Sequence, residues 1–136
     1  MKLFITGIGT DVGKTITSAI VTQALEADYW KPIQAGDLDN SDSHKIQRYI
    51  SNDTTVIHEN RYKLNTAASP HLAAEIDGII IDLKQIIEPK TKNHLVIEGA
   101  GGILVPLNTT DCIIDLIQKD YKVIVVSRHY LGSINH

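Results

Sequence analysis

Short β-branched runs alternate along the chain with segments whose apolar residues recur at helical spacing. Leu3 to Thr6 is apolar and partly β-branched and runs into a glycine-rich turn, which predicts a buried strand. From Lys14 onward, Ile16, Ala19, Ile20, Gln23 and Ala24 form a helical stripe broken only by Gln23, so a helix should end near Ala27 or Asp28. Tyr29 to Ile33 reads as extended, because Pro32 biases Lys31 away from the helical region. The polar stretch Gly36 to Ser43 reads as a loop, and Ile46, Tyr49 and Ile50 as a short helix. Farther on, helices are predicted from Pro70 to Glu75 and from about Asp82 to Glu88. Leu95 to Glu98 is a strand stopped by Gly99-Ala100-Gly101-Gly102. Ile113, Ile114 and Ile117 predict a helix capped by Thr110 or Asp111. Lys122 to Ser127 has the near-continuous β-branched character of a strand buried on both faces.

Strands alternating with helices predict an α/β fold, a mostly parallel sheet with helices on both faces. No repeat, low-complexity tract or linker divides residues 1–136, so they read as a single domain. The chain stops at Leu131 to His136, where a crossover helix should begin, which predicts that it is truncated, the N-terminal part of a longer domain.

Composition narrows the function. The 136 residues are 43% apolar, and 13 Lys+Arg set against 16 Asp+Glu leave a net charge of −3. That balance argues against disorder and against a polybasic nucleic-acid module. No apolar run approaches the ~20 residues of a membrane span, and no signal peptide precedes the glycines. The single Cys112 can form no internal disulfide and fits a cytoplasmic protein; inside a predicted helix it reads as core packing rather than a nucleophile. None of the six histidines falls in a metal-ligand spacing, and no G-x-S-x-G elbow is present.

Gly7 to Thr15, GIGTDVGKT, lies between a predicted strand and a predicted helix. Backbone N–H groups of such a loop converge on phosphate oxygens, Lys14 supplies a charge to the terminal phosphates, and the Thr15 hydroxyl ligates Mg²⁺. The strict pattern G-x-x-x-x-G-K-[ST] would place glycine at Ile8, whereas the glycines stand at 7 and 9, so a plain glycine turn before a helix is the competing reading. Glu98 ends its strand where a second acid could hold Mg²⁺, a place most such proteins give to Asp; otherwise it is a surface carboxylate. Lys31 ends another predicted strand and could neutralise a transferring phosphoryl group, or simply be solvated. The acidic loop Asp37, Asp39 and Asp42 is by itself more in keeping with solvent than with a metal.

Taken in order, GIGTDVGKT, YWKPIQAG, NSDSHKIQ, ASPH, VIEGAGGILVPL and LGSINH resemble the dethiobiotin synthetase family, a P-loop NTPase-like group. The resemblance implies an ATP- and Mg²⁺-dependent ring closure in biotin biosynthesis. Diaminopelargonic acid would take up CO₂ or bicarbonate as a carbamate, ATP would phosphorylate it, and the second amine would close the ring. It implies that Lys14 and Lys31 flank the carbamate and γ-phosphate with Thr10 nearby. Gly9, Thr10, Asp11, Val12, Gly13, Lys14, Thr15, Glu98 and Gly101 would lie at the nucleotide. Thr15, Asp42 and Glu98 would hold the metal. Lys31, Ala35, Gly101 and Gly102 would face the substrate, with Ser133, Ile134 and Asn135 reaching it from the other subunit of a homodimer. Some members carry serine where Ala35 stands, so one substrate contact is missing here. A cobyrinate-synthetase-like or partition-type ATPase, or a nucleotide-binding regulator without catalysis, are the alternatives; the partition type usually has an extra lysine early in the loop, and Gly7 to Val12 contain none.

Overall fold

The computed structural model describes residues 1–133. Seven strands and three α-helices follow in the order β1 (Lys2–Gly7), α1 (Lys14–Leu25), β2 (Asp28–Trp30), β3 (Ile33–Ala35), α2 (Asp42–Tyr49), β4 (Ile57–His58), β5 (Tyr62–Leu64), α3 (Pro70–Asp77), β6 (Leu95–Glu98) and β7 (Tyr121–Val126). Five strands form one parallel sheet in the order β4-β2-β6-β1-β7, and β3 and β5 pair in a separate parallel ribbon. The expected parallel α/β architecture is therefore present.

The period of two along each strand divides the core between the two faces of the sheet. Leu3, Ile5, Tyr29 and Val96 pack on one face with Ala19 of α1 and Ile46 of α2. Phe4, Trp30, Leu95 and Ile97 pack on the other with Ala73 and Ala74 of α3, Leu107 and Ile113. Helices thus cover both faces. Among the described residues, no helix is long and apolar enough to cross a membrane.

Several local expectations are corrected. The extended run Tyr29 to Ile33 is two strands of different sheets, broken at Lys31-Pro32. Asp42 is not in a loop but opens α2, whose N-cap Ser41 takes a hydrogen bond from the His44 amide. The helix expected over 82–88 shrinks to one 3₁₀ turn, Leu83–Gln85: the Asp82 carboxylate caps the Lys84 amide at its start, but Pro89 follows closely and disfavours helical backbone at Glu88. The helix expected near Ile113 is likewise a 3₁₀ turn, Ile113–Leu116. Its N-cap is Cys112, whose amide donates to Asp115, while the Thr110 and Asp111 amides are held by the Asn108 side chain in a turn. Cys112 is accordingly half-buried at a turn start rather than packed inside a helix.

Strand β7 is not buried on both faces: Val123 and Val125 are 43% and 56% exposed. Among the described residues it pairs with β1 alone, at the end of the strand order. Helix α1 is turned away from its apolar stripe. Ile16 and Ile20 are exposed; of the stripe Ala19 is buried as expected, but Ser18 and Thr22 join it against the sheet.

Gly36 closes β3 at φ 68°, and a Cβ there would lie 2.6 Å from the Ala67 Cα. Backbone strain and overlap act together, so Gly36→Ala is expected to lower unfolding stability by roughly 2–4 kcal/mol. Urea denaturation would check this, and an unchanged midpoint would mean that the 66–68 segment yields freely.

Candidate active site

The carboxyl ends of β1, β2 and β6 open onto a cleft of about 810 Å³, where open α/β sheets bind their ligands. The loop after β1 enters α1 through Gly13 at φ 104°, a conformation that favours glycine, and the Thr17 amide donates to the Gly13 carbonyl at 3.0 Å. No side chain caps α1, the arrangement in which first-turn N–H groups serve an anion. Lys14 and Thr15 leave that first turn side by side, and the Lys14 Nζ donates back to the Gly9 carbonyl at 2.6 Å. Gly102 packs beside the loop: a Cβ on it would stand 3.4 Å from the Ile8 carbonyl and the Gly9 nitrogen, in van der Waals contact.

Lys31 is buried, not solvated. Its Nζ pairs closely with the Asp42 carboxylate and lies 3.4 Å from Glu98 Oε1. Glu98, which is only 1% exposed, also accepts from Thr15 Oγ1 at 2.9 Å through Oε1 and from the Tyr29 hydroxyl at 3.0 Å through Oε2. Neither Lys31 nor Glu98 is a surface group. Two strand ends and two helix starts therefore bring one hydroxyl, two carboxylates and an ammonium to a single point.

The charges there are mutually set. Burial pushes Lys31 down, but Glu98 and then Asp42 outweigh it and hold the ammonium above the ordinary lysine value. Burial likewise raises Asp42, yet Lys31 and Lys45 bring its carboxyl below the usual range. Lys14 moves the other way: burial first, and Lys31 second, push it below the ordinary lysine value. Burial, reinforced by the charges of Glu98 and Asp42, holds the Tyr29 phenol well above its usual value, so it remains a donor.

Thr10, Asp11, Gly13, Lys14, Thr15, Lys31, Ala35, Asp42, Glu98 and Gly101 all line this cleft. Gly9, Val12 and Gly102 do not line it, though the Gly9 carbonyl accepts from Lys14 and Gly102 lies against the Ile8-Gly9 backbone. Ser133, whose amide donates to the Tyr130 carbonyl, does not line the cleft of its own chain, and Ile134 and Asn135 lie outside the described residues. Sequence reasoning missed Tyr29, Gln34 and Lys45. Lys45 reaches Asp42 and Asp37 at 3.2 Å each, and its spacing of three from Asp42 on α2 was the available signal. Gln34 donates to the Gly36 carbonyl and accepts from the Asp42 amide at 3.4 Å. The first residues of α1, α2 and α3 all line the cleft, and the starts of α1 and α3, neither closed by a side-chain cap, favour an anionic ligand.

The donor set also bears on a metal. Among the described residues, no group of three or more His, Cys, Asp and Glu side chains is arranged to hold one. Mg²⁺, however, is ordinarily held by one or two carboxylates together with substrate phosphates, all through oxygen. Thr15, Asp42 and Glu98 supply that hard-oxygen chemistry beside the phosphate loop, so the residues fit the ion.

A family model described as "AAA domain" matches residues 1–136. The "ATP-dependent dethiobiotin synthetase BioD" of Christiangramia forsetii is 65% identical over 133 residues, 98% of this chain and 64% of that protein. The proteins of the same name from Cytophaga hutchinsonii and Afipia carboxidovorans are 56% and 46% identical over 137 residues, 99% of this chain and 66% and 65% of theirs. The chain thus spans a little under two thirds of the length of these curated relatives.

Proposed function

The chain belongs to the AAA domain family, a P-loop family, and from that premise we propose that the protein carrying it is an ATP- and Mg²⁺-dependent dethiobiotin synthetase. The relatives' names support the activity, and one observation carries the chemistry: buried Lys31 beside Lys14 in an anion-favouring cleft at the phosphate loop. The reaction must bring a carbamate, a triphosphate and a carboxylate together, all anionic. A site of this kind works by positioning and by charge placed in advance.

One amine of diaminopelargonic acid adds to CO₂ and loses a proton, giving the carbamate. The carbamate oxygen attacks the γ-phosphorus and ADP leaves. The second amine then attacks the carbamic-phosphoric anhydride, phosphate departs with the proton that the attacking nitrogen gives up, and the cyclic urea closes. Lys31 holds the carbamate oxygen against the γ-phosphate, and Lys14 with the loop amides, including those at Thr10 and Asp11, stabilises the charge moving onto the phosphates. Mg²⁺, when bound through Thr15, Asp42 and Glu98, supplies charge neutralisation on the phosphate oxygens. Ala35, Gly101 and Gly102 leave room for the substrate backbone. The Ser133 to Asn135 segment would close the site from a second copy of the chain in a cytoplasmic homodimer.

Full-length protein incubated with diaminopelargonic acid, bicarbonate and Mg-ATP is expected to form dethiobiotin, detected by mass spectrometry, and none when any component is omitted. ATP hydrolysis with no dethiobiotin would favour a sister ATPase instead.

A further inference from the structure

The mechanism leaves unused the most deeply buried polar contact of the cleft. Tyr29 is fully buried in β2, between β4 and β6, and its hydroxyl donates to Glu98 Oε2 at 3.0 Å. Glu98 Oε1 alone faces Thr15 Oγ1 and Lys31 Nζ. The phenol therefore ties up one carboxylate oxygen and aims the other at the phosphate loop. We infer that Tyr29 is a positioning residue that makes Glu98 a one-oxygen donor to the divalent cation, and so selects Mg²⁺ over Ca²⁺. This rests on the reading of Glu98 as a metal contact.

The physical ground is the difference between the two ions. Ca²⁺ takes six to eight oxygens in flexible geometry and readily accepts both oxygens of one carboxylate. Mg²⁺ demands near-octahedral geometry and is well served by a single oxygen per carboxylate. With Oε2 turned toward the buried Tyr29 hydroxyl and its side chain immobilised in the core, Glu98 presents only Oε1 to the loop. Removing the hydroxyl frees Oε2 and lets the carboxylate swing or chelate. Outer partners of metal ligands commonly change metal affinity by tenfold or more when removed.

The test uses full-length protein with a non-hydrolysable ATP analogue, reading Mg²⁺ and Ca²⁺ affinities by displacement of the Mn²⁺ electron paramagnetic resonance signal. Tyr29→Phe keeps the ring and deletes one oxygen; it is expected to narrow the Mg²⁺/Ca²⁺ preference at least fivefold, chiefly by tighter Ca²⁺ binding. Glu98→Gln is the reference variant and is expected to weaken both ions. If Glu98→Gln weakens binding while Tyr29→Phe leaves the preference unchanged, the positioning role is overturned and the metal reading stands. If Glu98→Gln leaves both affinities unchanged, the metal reading falls and the positioning role with it. Infrared difference spectra of the wild-type protein give a check independent of the variant's folding. Mg²⁺ loading should shift the Glu98 carboxylate stretches in the one-oxygen pattern, identified by their absence in Glu98→Gln, and a chelating pattern overturns the proposal.

Discussion

Replacing Lys31 by alanine is expected to cut dethiobiotin formation by roughly 10²–10³-fold, the usual loss when one preorganised charge-stabilising donor is removed. Nucleotide affinity should change only a few-fold, because Lys14 and the loop amides remain. The same variant has a second signature that follows from the ion cluster. Lys31 Nζ is what separates Asp42 from the almost wholly buried Glu98. Taking one partner from a buried pair costs about 3–5 kcal/mol, so the protein without nucleotide or metal should melt several degrees lower. Added Mg²⁺ should then raise the melting temperature more in the variant than in the wild type, because the two carboxylates no longer share an ammonium. Turnover within threefold of wild type would remove Lys31 from the reaction. A loss of nucleotide binding equal to the loss of turnover would make it a binding residue only.

Why Lys31 could be found in the sequence at all is instructive. The phosphate loop, the strand-end lysine and the strand-end glutamate are each fixed by a local transition from strand to loop, and such transitions are written in short runs of neighbouring residues. The parallel α/β order was legible for the same reason, since Leu3 to Thr6 and Leu95 to Glu98 are too apolar and too short for anything but buried strands. Rotation of an element about its own axis was not legible. Helix α1 should have buried Ile16 and Ile20 by its stripe, yet the loop fixes Lys14 toward the cleft, and the 100° advance per residue then presents Ser18, Ala19 and Thr22 to the sheet. Small residues suit that close approach, and tertiary geometry overrides the pattern. The turns at 83–85 and 113–116 escaped because both have capped starts of the kind that opens a helix, yet end after a single turn, the first shortly before Pro89. Tyr29 escaped for another reason. One of a pair of aromatics in a strand reads as core, and only Glu98 on the neighbouring strand, two residues beyond its register partner Val96, reveals the use of its hydroxyl.

The phosphate-loop lysine should behave in the opposite way to Lys31, and Lys14→Met separates the two. Methionine replaces most of the buried stem while removing the charge. Burial and the neighbouring Lys31 hold the Lys14 value below that of a free lysine. Between the folded and unfolded values the unfolded chain binds the extra proton, so this group's contribution to stability rises with pH through that window. Below that window its charge opposes folding. The loss of its hydrogen bond to the Gly9 carbonyl works against the relief gained. Because that carbonyl lies beside the open cleft and can turn to water, the ligand-free variant should melt no lower than wild type. Binding of an ATP analogue should fall about 100-fold, on the order of 3 kcal/mol for a charge-assisted contact in a desolvated site, and the nucleotide-induced rise in melting temperature should vanish. Calorimetry with and without the analogue reads both effects in one series. A variant that melts lower and still binds nucleotide would reverse both halves of the argument, making Lys14 a structural ion and moving the phosphate site away from the loop. Stability retained with binding lost is instead what a phosphate-binding lysine requires, since the Lys14 charge, unlike that of Lys31, is held against the preference of the fold.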